Sequence, residues 1–321
     1  MFYNYDLNKI VSQNHPLRKI NEIVSFSRIV GKFKNVLKKA GRKGYGVEVG
    51  IKSLFLQFYY DLSDRQLEDG LKHNNAYKYF CGFSIDEQTP DHSYFSRIRK
   101  VLGASRVSMI FEEIKNQSRE AGILREVFTF VDASQIVSKN TTWEERDKAI
   151  KEGEDKLNND NVDKYSADKD ARFGCKGKDK FWYGYKRHVS VDMGSGLIKK
   201  IAVTPANMTD QAGLERICPN GGMVFADKQY SCKRAQLTMR SNRCHSGAIL
   251  KKNMKRKDKD KDKWLTKVRM PFEGTFSKLG KRARYRGLAK VQLQAFMEAI
   301  VFNVKRMVII ANAPPLACVG A

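Results

Sequence analysis

The spacing of apolar residues changes character near residue 125 and divides the chain in two. Before that point, "VEVGIKSLFLQFYYDLSD" (47–64) is dense in apolar residues and reads as helix, as does most of the chain from residue 1 to about 120. In "SDRQLEDGL", Ser63 stands three residues before Gln66, a capping-box pattern that opens a new helix. "TPDHSYFSRIRKVLG" (89–103) predicts another, with Thr89 as its cap, Pro90 at the first helical position and Asp91 at the positive end of the dipole. Residues 1–122 are therefore expected to form an all-α region.

From Glu126 the pattern becomes that of strands. "VFTFVDAS" comes first, its apolar and β-branched residues running into Asp132. A polar stretch, 138–180, is expected to be a long surface insertion or flexible loop. "FWYGYKRHVSVDMGSGLIKKIAVTPAN" (181–207) gives two strand-like runs about a turn at Gly194-Ser195-Gly196. A capped helix "TDQAGLERI" (209–217) and a strand "GMVFADKQY" (222–230) ending in Asp227 follow. Then come a helix "CKRAQLTMRS" (232–241), a short strand "GAILKK" (247–252) and a basic loop (251–263). After "PFEGTF" (271–276) the chain reads as helix to about 311, and 312–321 as a flexible tail. The order is strand, insertion, hairpin, helix, strand, helix, strand, helix. The periodicity supports an α/β domain over 123–311, and the element order is that of a ribonuclease H-like mixed sheet flanked by helices.

Composition narrows the partners. A hydrophobic fraction of 41% is enough for a core and excludes a disordered chain. Sixty Lys and Arg against thirty-five Asp and Glu give a formal charge of +25, which suits a polyanion, most simply nucleic acid. The six cysteines form no C-x-x-C pair, so reduced thiols without a zinc site are expected. The most apolar run, 293–310, is broken by Glu298, Asn303, Lys305 and Arg306 and reads as a buried helix, not a membrane span. With no signal-peptide pattern at the N-terminus, a soluble cytoplasmic protein is expected.

Three acids recur at the ends of predicted elements. Asp132 and Asp227 end strands, and Glu273 sits two residues after Pro271, in the first turn of the last helical region. Each has a purely local reading as a turn former or cap. Together, two strand-end aspartates and a helix glutamate could hold a pair of hard divalent cations for phosphoryl transfer.

Several ordered motifs then carry a resemblance. "NHPLRKI" (14–20), "YDLSDRQLEDGLKHNNAYKYFCGF" (60–83), "TPDHSYFSRIRKVL" (89–102) and "FVDASQIV" (130–137) resemble DDE transposases of bacterial insertion sequences, of the insertion-sequence-five type. So do "DKDARFGCKGKDKFWYGYKRHVSVDMGSGLIKKIAVTPANMTD" (168–210), "ADKQYSC" (226–232) and "PFEGTFSKLGKRARYRGLAKVQLQAFMEAIVFNVKRM" (271–307). The resemblance implies a ribonuclease H-like catalytic domain and metal ligands at Asp132, Asp227 and Glu273. It also implies Mg²⁺ as cofactor, with Mn²⁺ as an alternative, and cutting of element ends followed by joining of 3′-hydroxyls to target DNA. Many relatives have a small residue where Gln229 stands. A homo-oligomer, most simply a dimer, acting on terminal repeats and target DNA and associated with the nucleoid when bound, is expected. A metal-dependent nuclease without strand transfer, or an inactive transposase-derived DNA-binding protein, are the alternatives.

Other residues have competing readings. Arg97, Arg99 and Lys100 make a basic helix that is either half of a DNA-binding helix pair or a solvated face. Lys281, Arg282, Arg284 and Arg286, with Tyr285 among them, suit phosphates and an unpaired base, or form a solvated basic helix end. Asp192 rivals Asp227 but precedes a Gly-rich turn, where Asp is favoured locally. Asp210 fits a helix start. His188 reads as a strand-face residue, and Trp182, Tyr183 and Tyr185 as packing.

Overall fold

A computed structural model describes residues 6–33, 44–140, 142–177, 179–251, 253–254 and 258–313. The expected tail from residue 314 and positions 252 and 255–257 of the basic loop lie outside the described residues. The chain divides into two compact units, residues 1–123 with 300–321, and residues 124–299.

The first unit is helical: α1 (Leu7–Ile10), α2 (Pro16–Ile23), α3 (Phe26–Gly31), α4 (Val47–Tyr59), α5 (Asp64–His73), α6 (Asn75–Cys81) and α7 (His92–Glu120). The capping box at α5 is formed in both directions. Ser63 Oγ accepts from the Gln66 N–H (3.3 Å), and Gln66 Oε1 from the Ser63 N–H (2.9 Å). At α7 the cap is Asp91, not Thr89. Its carboxylate accepts from the Tyr94 N–H (3.1 Å) and the Ser93 hydroxyl (2.6 Å), and a charged acceptor serving two donors outcompetes a hydroxyl. Gly103 interrupts α7 with φ 58° and ψ 179°, a backbone shape open to glycine and costly for other residues. Phe26, Phe55 and Phe80 meet edge-on or tilted in a core that also buries Leu54, Leu67, Leu71 and Phe95. Each such side chain contributes about 1.5–3 kcal/mol.

The second unit is built on a six-stranded sheet. Along the chain come β1 (Phe128–Val137), α8 (Trp143–Lys151), α9 (Val162–Tyr165), β2 (Arg172–Lys176), β3 (Lys180–Asp192), β4 (Ile198–Pro205) and α10 (Asp210–Ile217). Then follow β5 (Gly222–Ala226), a 3₁₀ turn (Lys228–Tyr230), α11 (Lys233–Ser241), β6 (Cys244–Ala248), α12 (Lys259–Ser277) and α13 (Leu288–Ala311), whose residues to Ala299 belong to this unit. The strand order is β2-β3-β1-β5-β6, with β4 also paired to β3. β1 runs antiparallel to β3 and parallel to β5, and β5 parallel to β6. Alternation along β1 separates two apolar layers. Val131 packs with Leu214, Ile217 and Met239 of α10 and α11, while Phe130 packs with Phe225 and Leu265 of α12. Helices thus cover both faces of a mixed sheet, the ribonuclease H-like arrangement.

The structure corrects five expectations. The described part of the insertion 138–180 is folded and not a flexible loop, because its few apolar residues are spaced to meet: Ala149, Leu157 and Tyr165 form a small core with Phe173. Part of the basic loop is helix, since Asp258 caps α12 by accepting from the N–H groups of Asp260 (2.9 Å) and Lys261 (3.1 Å). Glu273 therefore lies near the end of α12, beyond Pro271, not in a first turn. Residues 278–287 break the expected continuous helix, and the last strand covers 244–248 instead of 247–252. Among the described residues, no helix is long and apolar enough to cross a membrane.

Candidate active site

The parallel register of β1 and β5 brings two acids to one place. Its last pair is Phe130 with Phe225, and Asp132 and Asp227 each stand two residues further on. β5 ends at Ala226, whereas β1 continues along β3, with Asp132 opposite Val189. Asp132 is thus mid-strand, just past the point where its parallel neighbour leaves, and does not end β1 as the sequence implies. It projects to the same face as Phe130, the face covered by α12.

The two acids act on one another electrostatically. Burial pushes the Asp132 carboxyl up to about 6, and the charge of Asp227 adds to the rise. A hydrogen bond from the Ala133 N–H (2.8 Å) and the cations Arg269 and Lys176 oppose it. Asp227 is raised too, by burial first and then by Asp210, against the Gln229 N–H (2.7 Å), Arg269 and Lys176. Through that Gln229 bond Asp227 also caps the 3₁₀ turn, so its local role and its place beside Asp132 coexist.

Glu273 reaches this neighbourhood through a cation. Its carboxylate, 53% exposed, accepts from Arg269 (2.9 Å), one turn earlier on α12. The Arg269 side chain is only 11% exposed and lies 5.6 Å over the Phe130 ring, its buried Nε without a partner among the described residues. One guanidinium is therefore bonded to Glu273 while its charge acts on both aspartates. Among the described residues, no three His, Cys, Asp or Glu side chains stand close enough together to hold a metal ion. The donors are nonetheless of the kind a hard divalent cation takes, carboxylate oxygens with no competing sulfur or imidazole. A fully buried Tyr230 hydroxyl, without a partner among the described residues, also lies within electrostatic reach of Asp132, Asp210 and Asp227.

Arg269, Lys176 and Tyr230 escape a reading by motif alone. Arg269 is visible only once α12 is known to begin upstream of Pro271, where its four-residue spacing from Glu273 becomes a helical neighbour relation. Tyr230 follows Asp227 by one 3₁₀ turn.

The remaining candidates separate by their contacts. Asp192 is buried and accepts from the Ser195 N–H (2.8 Å) and hydroxyl (2.7 Å) and from the Glu126 N–H (3.1 Å), which occupies it in the turn. Asp210 pairs with Lys186 at 2.9 Å. His188 is buried, shares a hydrogen bond with Thr204 Oγ1 (2.8 Å) and is held neutral by burial, its pKa pushed down to about 4. Trp182 donates to the Tyr185 carbonyl (3.1 Å) within the sheet, and the Tyr183 and Tyr185 hydroxyls both end on Asp168, which makes these aromatics packing residues. Arg97 and Lys100 are exposed on α7. Arg99 instead forks onto Asp64 (2.7 and 2.5 Å) and also donates to Gln57 (3.1 Å). The segment 281–286 is not a helix end but an irregular strap beside the end of β1, bridged at Val137 and Arg282. Lys281, Arg282 and Arg286 are exposed on it, and Arg284 and Tyr285 half-buried.

Two families of known sequences match the chain. Residues 5–101 match a transposase domain (DUF772), and residues 125–304 match the Transposase DDE domain, a span that contains all three acids. No solved structure matches. A DDE match over more than half of the chain, preceded by a second transposase domain, means that this protein belongs to the DDE transposases and is typical of those of insertion sequences.

Proposed function

We propose that this transposase cuts DNA at the ends of an insertion element, exposes 3′-hydroxyls and joins them to target DNA by metal-dependent phosphoryl transfer. The observation that carries the reading is the β1–β5 register, which ends two residues before both Asp132 and Asp227. In this reading Asp132, Asp227 and Glu273 hold Mg²⁺, with Mn²⁺ as an alternative; DDE transposases generally use a divalent metal. Such an ion, when bound, lowers the pKa of the attacking water or hydroxyl and stabilises the leaving oxygen.

The chain's own residues supply the rest. Asp132 gives up its proton to serve as a ligand, against the burial that raises its pKa to about 6. Arg269 neutralises Glu273 and moderates the repulsion between the two aspartates. The Tyr230 hydroxyl is a buried donor available to an oxygen bound at the acids. Lys281, Arg282 and Arg286 neutralise backbone phosphates, with Arg284 and Tyr285 beside them, and Arg97 and Lys100 do so from the helical unit, where the terminal repeats are recognised. The protein works as a homo-oligomer, most simply a dimer, in the cytoplasm and on the nucleoid.

Asp132→Ala, Asp227→Ala and Glu273→Ala should each abolish cleavage of an element-end duplex in Mg²⁺ and leave DNA binding in place. Normal cutting by any one of them removes that residue from the catalytic set. Pre-cut ends with free 3′-hydroxyls, supplied with a target plasmid, separate strand transfer from a nuclease that only cuts. The Glu273–Arg269 bond favours a second reading, a DNA-binding protein no longer catalytic. Under it no metal concentration produces cleavage although DNA binding persists.

A further inference from the structure

The motif Asp168-Lys169-Asp170 lies in the folded insertion, far from the acids in sequence, and the function above leaves it without a role. We propose that its two carboxylates are positioning groups, which hold the basic strap 281–286 in the shape that meets the DNA backbone. The proposal rests on the DNA-binding reading of that strap.

The strap has no helix or strand of its own, yet its backbone is held at both ends. At the front, the Val137 N–H donates to the Lys281 carbonyl (2.9 Å), and the Ala283 N–H returns a bond to the Val137 carbonyl (2.8 Å). Gln294 accepts from the Arg284 N–H (2.7 Å) and donates to the Arg282 carbonyl (3.0 Å). At the rear stands Gly287, with φ +90°, a conformation that strains any residue with a Cβ. This glycine precedes α13, a helix whose first N–H groups need acceptors. Having no side chain, it cannot supply the oxygen that Ser, Thr, Asp or Asn gives at that position.

The insertion supplies it instead. Asp168 accepts from the Gly287 N–H (3.1 Å), and Asp170 accepts from the Leu288 N–H (2.8 Å). Two negative charges at the start of a 24-residue helix are also favoured by its dipole. Asp168 is buried and anchored to the sheet by the Tyr185 hydroxyl (2.6 Å) and to the end of β1 by the Ser138 hydroxyl (3.2 Å). Asp170 is exposed. The clip therefore fixes Gly287 and with it the direction in which the chain leaves Arg286. The front anchor thus holds Lys281 and Arg282, the clip holds the exit from Arg286, and all three side chains are presented to solvent.

The test is DNA binding of the full chain to a duplex of arbitrary sequence over a range of salt, for wild type, D170A, D170N and the triple variant K281A/R282A/R286A. Asp170 is chosen because it is exposed, so D170A folds. The triple variant should flatten the slope of log affinity against log salt by about 2–3, near 0.9 for each lost phosphate contact. D170A should flatten it by about 1, the contact of Arg286 whose exit the clip fixes, and bind DNA more weakly than D170N, which lacks the same charge. D170N, whose side-chain carbonyl still accepts, should restore both. Amide hydrogen exchange at Gly287 and Leu288 should quicken in D170A and not in D170N. A weakened triple variant beside a D170A that binds as wild type overturns the positioning role and leaves the DNA reading intact. A triple variant that binds as wild type removes the DNA reading and the proposal with it. Unchanged exchange in D170A overturns the clip whatever the affinities.

Discussion

Asp132 carries a charge that its surroundings oppose, and this has a measurable sign. Its carboxyl is raised well above the usual aspartate range, to about 6, by burial first and by the charge of Asp227 next. An acid raised on folding adds stability while it stays protonated, and loses that contribution as pH climbs through the folded value. Asp132→Asn, neutral throughout, escapes the loss. In metal-free buffer the variant and the wild type should therefore be almost equally stable near pH 4. By pH 8 the variant should lead by about 2 kcal/mol, the shift being discounted for partial exposure. Denaturant unfolding at the two pH values checks this, and a difference independent of pH would mean that Asp132 is not held protonated by its site. The motif around Asp132 is legible in the sequence; its neighbours are not. Arg269 matters because a helix turn brings it to Glu273 and a stacked ring, Phe130, brings it to the aspartates. Neither relation has a signature in the linear chain.

Elements were legible where apolar spacing or capping chemistry is strong, and obscure where charge hides a helix. Leu265, Val268 and Phe272 are the inward positions of α12, but the alternating Lys and Asp before them have the composition of a loop. Ser134 and Gln135 likewise disguise the second half of β1, which antiparallel pairing with Arg187 and Lys186 carries through to Val137. On α7 the sequence gives three basic residues of equal appearance, and only packing sorts them. Arg99, 12% exposed, bridges α7 to Asp64 at the start of α5, while Arg97 and Lys100 point outward. Arg99→Ala should thus cost about 2 kcal/mol of stability, in the range of hydrogen bonds to charged groups, and change DNA affinity little. Arg97→Ala with Lys100→Ala should do the reverse, weakening DNA binding with stability held within about 0.5 kcal/mol. Thermal unfolding and DNA titration on the same samples decide it. A stable Arg99→Ala protein with weak DNA binding would return Arg99 to the interface.

At the scale of the whole chain the excess of positive charge acts in opposite directions on folding and on binding. A formal +25 repels itself in any compact state, and added salt screens that repulsion. The same salt weakens binding to phosphates, because each phosphate the protein neutralises releases a counterion, and that release is less favourable at higher salt. Raising KCl from about 50 to about 200 mM should therefore raise the melting temperature of the free protein. It should also shrink the further rise produced by saturating DNA. For six neutralised phosphates the affinity falls by about three orders of magnitude over that range. With DNA in excess this removes about 4 kcal/mol of ligand-linked stabilisation. Divergence of the two curves, measured side by side, marks the positive charge as a binding surface held at a cost to the fold. A free protein indifferent to salt would mean that the cations not paired as Arg99 is with Asp64 lie too far apart to repel one another appreciably. The basic composition would then say little about DNA, and the burden would pass to the few exposed cations on α7 and the strap.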